Sequence, residues 1–310
     1  MPTPQFSDFV SIRDFSKDQI ISILRRAAQM VPYASGEKRT DAMRGRILGT
    51  LFYEPSTRTR LSFESAMLRL GGSVTGFSTP AGTSVEKGET LSDTVRMTEA
   101  YTDALVIRHP LEGAARLAAD ISSKPVINAG DGAGQHPTQT ILDLFTIQEA
   151  KGRIEGLNIV LVGDLRFGRT VHSLAEALSL FGANITLIAP PSLQMPRDVI
   201  AQIESNGVKP KTSASLEEAV ADADILYVTR IQKERFADAA EYAKLSGSYR
   251  IDTKLLAHAR STLSVMHPLP RVNEIAPEVD RTEHSLYFKQ AANGVPVRMA
   301  ILSMILGAEI

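Results

Sequence analysis

Ser56, Thr57, Arg58, Thr59 and Arg60 form an unbroken run of hydroxyls and guanidiniums. The run follows an apolar, strand-like segment, Ile47 to Phe52, and precedes a helical pattern carrying Leu61 and Leu68 and stopped by Gly71-Gly72. A helix start presents unpaired backbone N–H groups and a partial positive charge, so it disfavours arginine unless an anion is also there. Backbone amides, hydroxyls and a guanidinium converging on one group make a phosphate site. A solvated basic helix end is the alternative these five residues leave open.

Other turns carry groups of the same kind. Arg108-His109-Pro110 closes one apolar run, and Gly130-Asp131-Gly132-Ala133-Gly134-Gln135-His136-Pro137-Thr138-Gln139 closes the next. Proline at the first helical position makes His136 the cap, and Gln139 three residues on shares its face. Gly163 to Thr170 has the spacing of a nucleotide P-loop with Arg169 in place of lysine. Asp164 puts a carboxylate inside that loop, and a planar guanidinium suits bidentate capture of a carboxylate better than insertion between phosphates. Arg230-Ile231-Gln232 and His267-Pro268-Leu269-Pro270-Arg271 end two further runs, the prolines stiffening a turn so that its carbonyls are fixed. Each of these turns also fits a solvated basic loop when taken singly.

The elements that must position these groups alternate. Strands are expected at about Ile47-Phe52, Ala104-Arg108, Pro125-Asn128, Leu157-Gly163, Asn184-Ile188, Asp224-Thr229 and Leu263-Met266, with helices between them, for instance Pro137-Lys151 and Val171-Phe181. That alternation predicts an α/β protein of two domains, each a mostly parallel sheet flanked by helices. Ligands of such sheets bind outside the carboxyl ends of strands, which is where the polar turns fall. The basic segment Lys151-Gly156 sets the boundary, giving a first domain over 1–150 and a second over 151–294. A last helical pattern, at about 295–310, is expected to pack back on the first domain.

Composition narrows the chemistry. The chain has 310 residues, 43% hydrophobic and 22% charged, with a formal net charge of -1. Such a balance recommends neither nucleic acid nor a membrane as partner, so anion binding must come from local clustering. Without cysteine there is no disulfide, thiolate nucleophile or cysteine-ligated zinc. No signal peptide and no membrane-length apolar stretch is visible, and a cytoplasmic protein is expected. No metal cluster, dinucleotide fingerprint or nucleophile with an adjacent base appears, and no cofactor is expected. A phosphate pocket in the first half and carboxylate-binding arginines in the second describe two anionic substrates held across a cleft. Catalysis would then be positioning and electrostatics, with Thr59, Arg108 and His136 able to stabilise the oxyanion of an acyl transfer.

Together these motifs, in this order and over essentially the whole chain, resemble the catalytic chains of the aspartate carbamoyltransferases, within the aspartate/ornithine carbamoyltransferase family. The first-half motif is shared with the ornithine enzymes, but their His-Cys-Leu-Pro turn and Asp-x-x-x-Ser-Met-Gly loop are missing here. The resemblance implies attack of the L-aspartate amine on carbamoyl phosphate, giving N-carbamoyl-L-aspartate and phosphate in pyrimidine synthesis. It implies that Ser56, Thr57, Arg58 and Thr59 hold phosphate while Thr59, Arg108 and His136 reach the carbonyl oxygen. Gln139 and the backbone carbonyls of Leu269 and Pro270 would orient the carbamoyl NH2, and Arg169, Arg230 and Gln232 would bind aspartate. It further implies a homotrimer with shared active sites, Ser84 and Lys87 entering from the neighbouring subunit, and a zinc-binding regulatory chain as a partner. Taken alone, Pro80 to Gly88 is a mobile loop with one cation.

Asn273 stands where the family commonly has aspartate, Arg166-Phe167 where it has Lys-Tyr, and the loop near Lys87 is a residue shorter than in some members. None of these departures touches an implied ligand. Three other activities fit parts of the pattern: a carbamoyltransferase acting on ornithine or another amino acid, a noncatalytic anion sensor on the same fold, and a P-loop nucleotide hydrolase.

Overall fold

A computed structural model describes residues 6–231, 245 and 248–310. Gln232 lies outside them. The chain divides into two compact units, Met1–Phe145 with Asn293–Ile310, and Thr146–Ala292. Among the described residues, no helix is long and apolar enough to cross a membrane.

The first unit is built on a parallel sheet of β1 (Ile47–Phe52), β2 (Ser73–Phe77), β3 (Ala104–His109) and β4 (Val126–Asp131), in the order β2-β1-β3-β4. β1, β3 and β4 are largely or wholly buried, as expected of continuous apolar runs covered on both faces. Strand β2 carries Ser73, Thr75 and Gly76 and is mostly exposed at the sheet edge, so no apolar run announces it. Its helices are α1 (Lys17–Ser35), α2 (Thr57–Arg69), α3 (Leu91–Glu99), α4 (Ala114–Ile121) and the start of α5 (Pro137–Lys151). A capping box of Ser16 with Gln19 starts α1, and Gly36 in the left-handed region ends it. The C-terminal helix Gly294–Ile305 is buried nearly all round and lies against α1 and α2. That explains its largely apolar sequence, interrupted only by the buried Arg298 and Ser303: it has no solvent face to mark with polar residues.

The second unit has β5 (Asn158–Val162), β6 (Asn184–Ile188), β7 (Lys211–Thr212), β8 (Ile225–Val228) and β9 (Ser264–Met266), also all parallel, in the order β7-β6-β5-β8-β9. Helices α6 (Arg169–Leu180), α7 (Arg197–Ser205) and α8 (Leu216–Asp222) follow β5, β6 and β7. Val160, Val162, Leu226, Val228 and Val265 share one core with Tyr287. The two-residue β7 is exposed and polar and left no signal. α6 begins two residues earlier than the sequence pattern indicates, which places Arg169 and Thr170 inside its first turn.

In both sheets the strand order turns outward from one central strand. β1 sends the chain to β2 on one side and β3 on the other, and β5 does the same with β6 and β8. Those two switch points are where crevices open at the carboxyl ends of parallel strands.

Buried polar side chains lock the turns at these ends. The Asp131 carboxylate accepts from Asn128 Nδ2 at 3.0 Å, from the Gln135 amide at 3.0 Å and from the Gly113 amide at 2.9 Å. In the second unit Asp164 Oδ1 accepts from the amides of Arg166 and Phe167 at 3.2 and 2.9 Å, while its own amide donates to Thr229 Oγ1 at 3.1 Å. Gly163 (φ 122) packs so closely there that a Cβ would sit 2.2 Å from the Thr229 carbonyl oxygen. After β9, His267 Nδ1 accepts from the Leu269 amide at 2.7 Å, which leaves the proton on Nε2 to donate to Glu274 Oε1 at 2.8 Å. Gln290 Oε1 accepts from the His267 amide at 2.8 Å.

Burial would raise the Glu274 carboxyl pKa, but the hydrogen bond from His267, helped by the Val272 amide, holds it below its ordinary 4.5. A depressed folded-state pKa means this stabilisation is complete above 4.5 and is lost as pH falls through the folded value. Glu274→Gln is therefore expected to flatten the acid limb of a urea-denaturation series, and parallel limbs for variant and wild type below pH 4.5 would contradict it. Gly163→Ala is expected to lower the unfolding free energy by about 1–3 kcal/mol, the range for a strained backbone position, and a denaturation midpoint equal to wild type would refute the close packing.

Candidate active site

Ser56 is the N-cap residue of α2, with extended backbone (φ -155, ψ 96), and its hydroxyl makes no capping hydrogen bond. No acidic residue occupies the first turn. The helix start therefore offers its amides and hydroxyls outward, with Thr57 and Arg58 exposed and Thr59 buried. Arg60 has a separate role, since its Nη1 pairs with Glu64 Oε1 at 3.0 Å one turn along the helix. Of the two arginines in the run, Arg58 is the one at the helix mouth.

Arg108 lies beside this turn because of strand register. It pairs with Phe52 across β1 and β3, and its carbonyl accepts from the Tyr53 amide at 2.8 Å. Its guanidinium is aimed by one hydrogen bond and one ion pair: Nη1 donates to the Ala129 carbonyl at 3.1 Å, and Nε stands 3.5 Å from Glu54 Oε2. His109, next along, accepts from the Leu111 amide through Nδ1, and burial pushes its pKa below 6.5, so it is neutral at physiological pH. His136 is 4% exposed and immediately precedes α5, its carbonyl accepting from the Gln139 and Thr140 amides at 3.0 and 3.2 Å. Gln139 follows in the first turn, nearly buried, and its Nε2 donates to Asp143 Oδ1 at 2.9 Å. The turns after β1, β3 and β4 thus bring hydroxyls, guanidiniums, an imidazole and an amide to one end of one sheet. An anion with a polar carbonyl group suits that set of donors.

In the second unit Arg169 opens α6 and is half-buried, and Arg230 follows β8, also half-buried. They belong to turns at adjacent strands, β5 and β8. The P-loop spelling around them is not a phosphate cradle. Asp164 already occupies the Arg166 and Phe167 amides, and these are the donors a phosphate would need. Phe167 lies under the Arg166 guanidinium at 5.1 Å from the ring centre. After β9, Leu269 has φ 57 and is followed by a cis bond to Pro270. The Leu269 amide is taken by His267 and Pro270 has none, so this turn can offer only carbonyl oxygens. Arg271 pairs with both oxygens of Asp280 and with the Tyr287 hydroxyl, and Asp280 raises its pKa, so its charge is satisfied internally.

Ser84 and Lys87 lie in a short 3-10 turn, Ser84–Lys87, where the sequence pattern indicates only a mobile loop. Thr83 caps that turn through Oγ1 on the Val85 amide, and Gly88 (φ 93) ends it. Both side chains are exposed. Asn128 and Glu274 carry no mark in the sequence, whereas Asp131 lies between two glycines, where aspartate favours a side-chain-stabilised turn.

Residues 7–149 match the family model described as "Aspartate/ornithine carbamoyltransferase, carbamoyl-P binding domain", and residues 155–305 match "Aspartate/ornithine carbamoyltransferase, Asp/Orn binding domain". The aspartate carbamoyltransferase catalytic subunit of Thermococcus gammatolerans is 58% identical over 97% of each chain, and that of Methanothermobacter thermautotrophicus is 56% identical over 97% of this chain and 96% of its own. The catalytic subunit of M. jannaschii aspartate transcarbamoylase superposes with a TM-score of 0.91 at 48% identity, covering 97% of this chain and 98% of that one. Aspartate transcarbamoylase from Trypanosoma cruzi in complex with carbamoyl phosphate and aspartate gives a TM-score of 0.91 at 40% identity over 96% of each. With donor-rich strand ends in both units and this likeness along nearly its full length, the chain belongs to the aspartate/ornithine carbamoyltransferase family.

Proposed function

We propose that this chain transfers the carbamoyl group of carbamoyl phosphate to the amine of L-aspartate, giving N-carbamoyl-L-aspartate and phosphate, an early step of de novo pyrimidine biosynthesis. The observation that carries it is the pairing of Arg108 and His136 with the open start of α2 on one sheet, alongside Arg169 and Arg230 on the other. The catalytic-subunit relatives and the T. cruzi enzyme bound to both substrates support the choice of aspartate as acceptor.

In this reading Ser56, Thr57, Arg58 and Thr59 hold the phosphate, and residues 1–150 with the C-terminal helix serve as the carbamoyl phosphate domain. Thr59, Arg108 and His136 donate to the carbonyl oxygen, whose charge grows as the carbon becomes tetrahedral. Gln139 and the carbonyls of Leu269 and Pro270 accept from the carbamoyl NH2. Arg169, Arg230 and Gln232 bind the two aspartate carboxylates within residues 151–294. The amine lone pair then forms the C–N bond, the C–O bond to phosphate breaks, and phosphate leaves with that electron pair. The proton lost from nitrogen passes to the departing phosphate or to solvent. Because the donors already face the developing charge, little reorganisation is needed as it forms.

A homotrimer in which Ser84 and Lys87 complete the neighbouring subunit's site belongs to the same proposal, and their exposure supports it. So does docking of a zinc-binding regulatory chain, supported by the relatives being named catalytic subunits. Zinc ligation by cysteine would fall to that partner, since this chain has none. A cytoplasmic location completes the proposal.

Purified protein given carbamoyl phosphate and a panel of amino acids is expected to form carbamoyl-aspartate and no citrulline; turnover of ornithine instead would overturn the acceptor assignment. Arg230→Leu is expected to raise the aspartate KM by about 10²-fold, the loss for one side of a charge pair, with carbamoyl phosphate affinity retained. Arg108→Ala is expected to lower kcat by about 10²–10³, as for one oxyanion donor, and an unchanged kcat would remove Arg108 from the chemistry.

A further inference from the structure

Behind Gln139 lies a buried network that the steps above do not use. Arg298, in the C-terminal helix, is 2% exposed. Its guanidinium carbon stands 4.8 Å from the centre of the Phe63 ring on α2, and its Nη2 donates to Thr138 Oγ1 on α5 at 3.4 Å. One turn along α5, Asp143 is fully buried and receives the Gln139 amide. Burial lowers the Arg298 pKa to about 9 against the raising effect of Asp143, so the guanidinium is still charged at neutral pH.

A carboxylate in a site of this kind pays a large desolvation penalty unless a cation compensates it. Asp143 sits in the field of one. The ionised form only accepts hydrogen bonds, so the half of the Gln139 amide facing it must be NH2. The other half, the carbonyl oxygen, is then the one presented to a ligand. Protonated or replaced by an amide, position 143 could take either half, and Gln139 would lose its orientation.

We propose that Arg298 is a positioning residue for the carbamoyl group: it keeps Asp143 ionised, and Asp143 holds Gln139 with its carbonyl oxygen turned to accept from the carbamoyl NH2. The same guanidinium packs on α2 through Phe63 and on α5 through Thr138, so one buried cation connects the helix that starts at the phosphate turn with the helix that carries His136 and Gln139. The inference rests on the function proposed above, because it requires a ligand bearing an NH2 group.

The test compares carbamoyl phosphate with inorganic phosphate, which has no NH2, by calorimetry on the full chain and its variants Asp143→Asn, Arg298→Met and Arg298→Lys. Asp143→Asn and Arg298→Met are expected to weaken carbamoyl phosphate about tenfold, the equivalent of one hydrogen bond, while phosphate affinity stays within about twofold. Arg298→Lys, which keeps the charge, is expected to recover part of the loss. Equal weakening of both ligands, or of neither, would overturn the inference. If Arg298→Met does not fold, Asp143→Asn decides alone. A wild type that binds phosphate yet forms no carbamoyl-aspartate would instead overturn the function, and this inference with it.

Discussion

In each unit the turns that carry the cations are held by buried carboxylates, whose charge is taken up by backbone amides rather than left open at the strand ends. Asp131 and Asp164 lie at or just past the end of a parallel strand and Glu274 in the loop that follows β9, and each accepts amides of its own loop. The hydrogen bonds are charge-assisted and shielded from water, so each is worth roughly 1.5–3 kcal/mol and fixes a backbone path rather than one side chain. His136 after β4 and Arg169 after β5 are placed by those paths. The carbonyls of Leu269 and Pro270 are placed in the same way, with His267 between the carboxylate and the turn.

Sheet topology supplies the other half of the arrangement. Both strand orders turn outward from a central strand, so the loops leaving β1 and β3, and those leaving β5 and β8, diverge and leave room between helix starts. In the first unit that room is lined by the uncapped mouth of α2 and by Arg108, whose position is dictated by its register with Phe52. Groups held in this way can meet a developing charge without first rearranging.

Much of this was legible in the residues. Continuous apolar runs marked β1, β3, β4, β5, β6, β8 and β9 because buried parallel strands have no polar face to interrupt them. β2 and β7 stayed hidden for the converse reason, being short, exposed and polar at sheet edges. The arginines, His136 and Gln139 stood out through their placement after strands. Of their supports Asp164 stood out, as a carboxylate inside a glycine-bounded loop; Asn128 and Glu274 look in sequence like any surface polar residue. Register was also unreadable: nothing in Arg108 or Phe52 alone says that they are neighbours. The split of roles within Ser56 to Arg60, where Arg60 turns to Glu64, needed the helix phase as well as its start.

Asp164 has a bearing on how such sequences change over time. The turn from Gly163 to Thr170 is one codon's meaning away from the full spelling of a nucleotide-binding loop, with Arg169→Lys completing it. Yet lysine there would meet a loop whose amides are already engaged by a carboxylate, so the spelling would arrive without the trait. Gaining that trait would need Asp164 to go too, and the carboxylate that fixes the Arg166 and Phe167 amides would go with it. Two substitutions rather than one therefore separate this turn from its lookalike, and the first alone would bring the motif without a phosphate cradle.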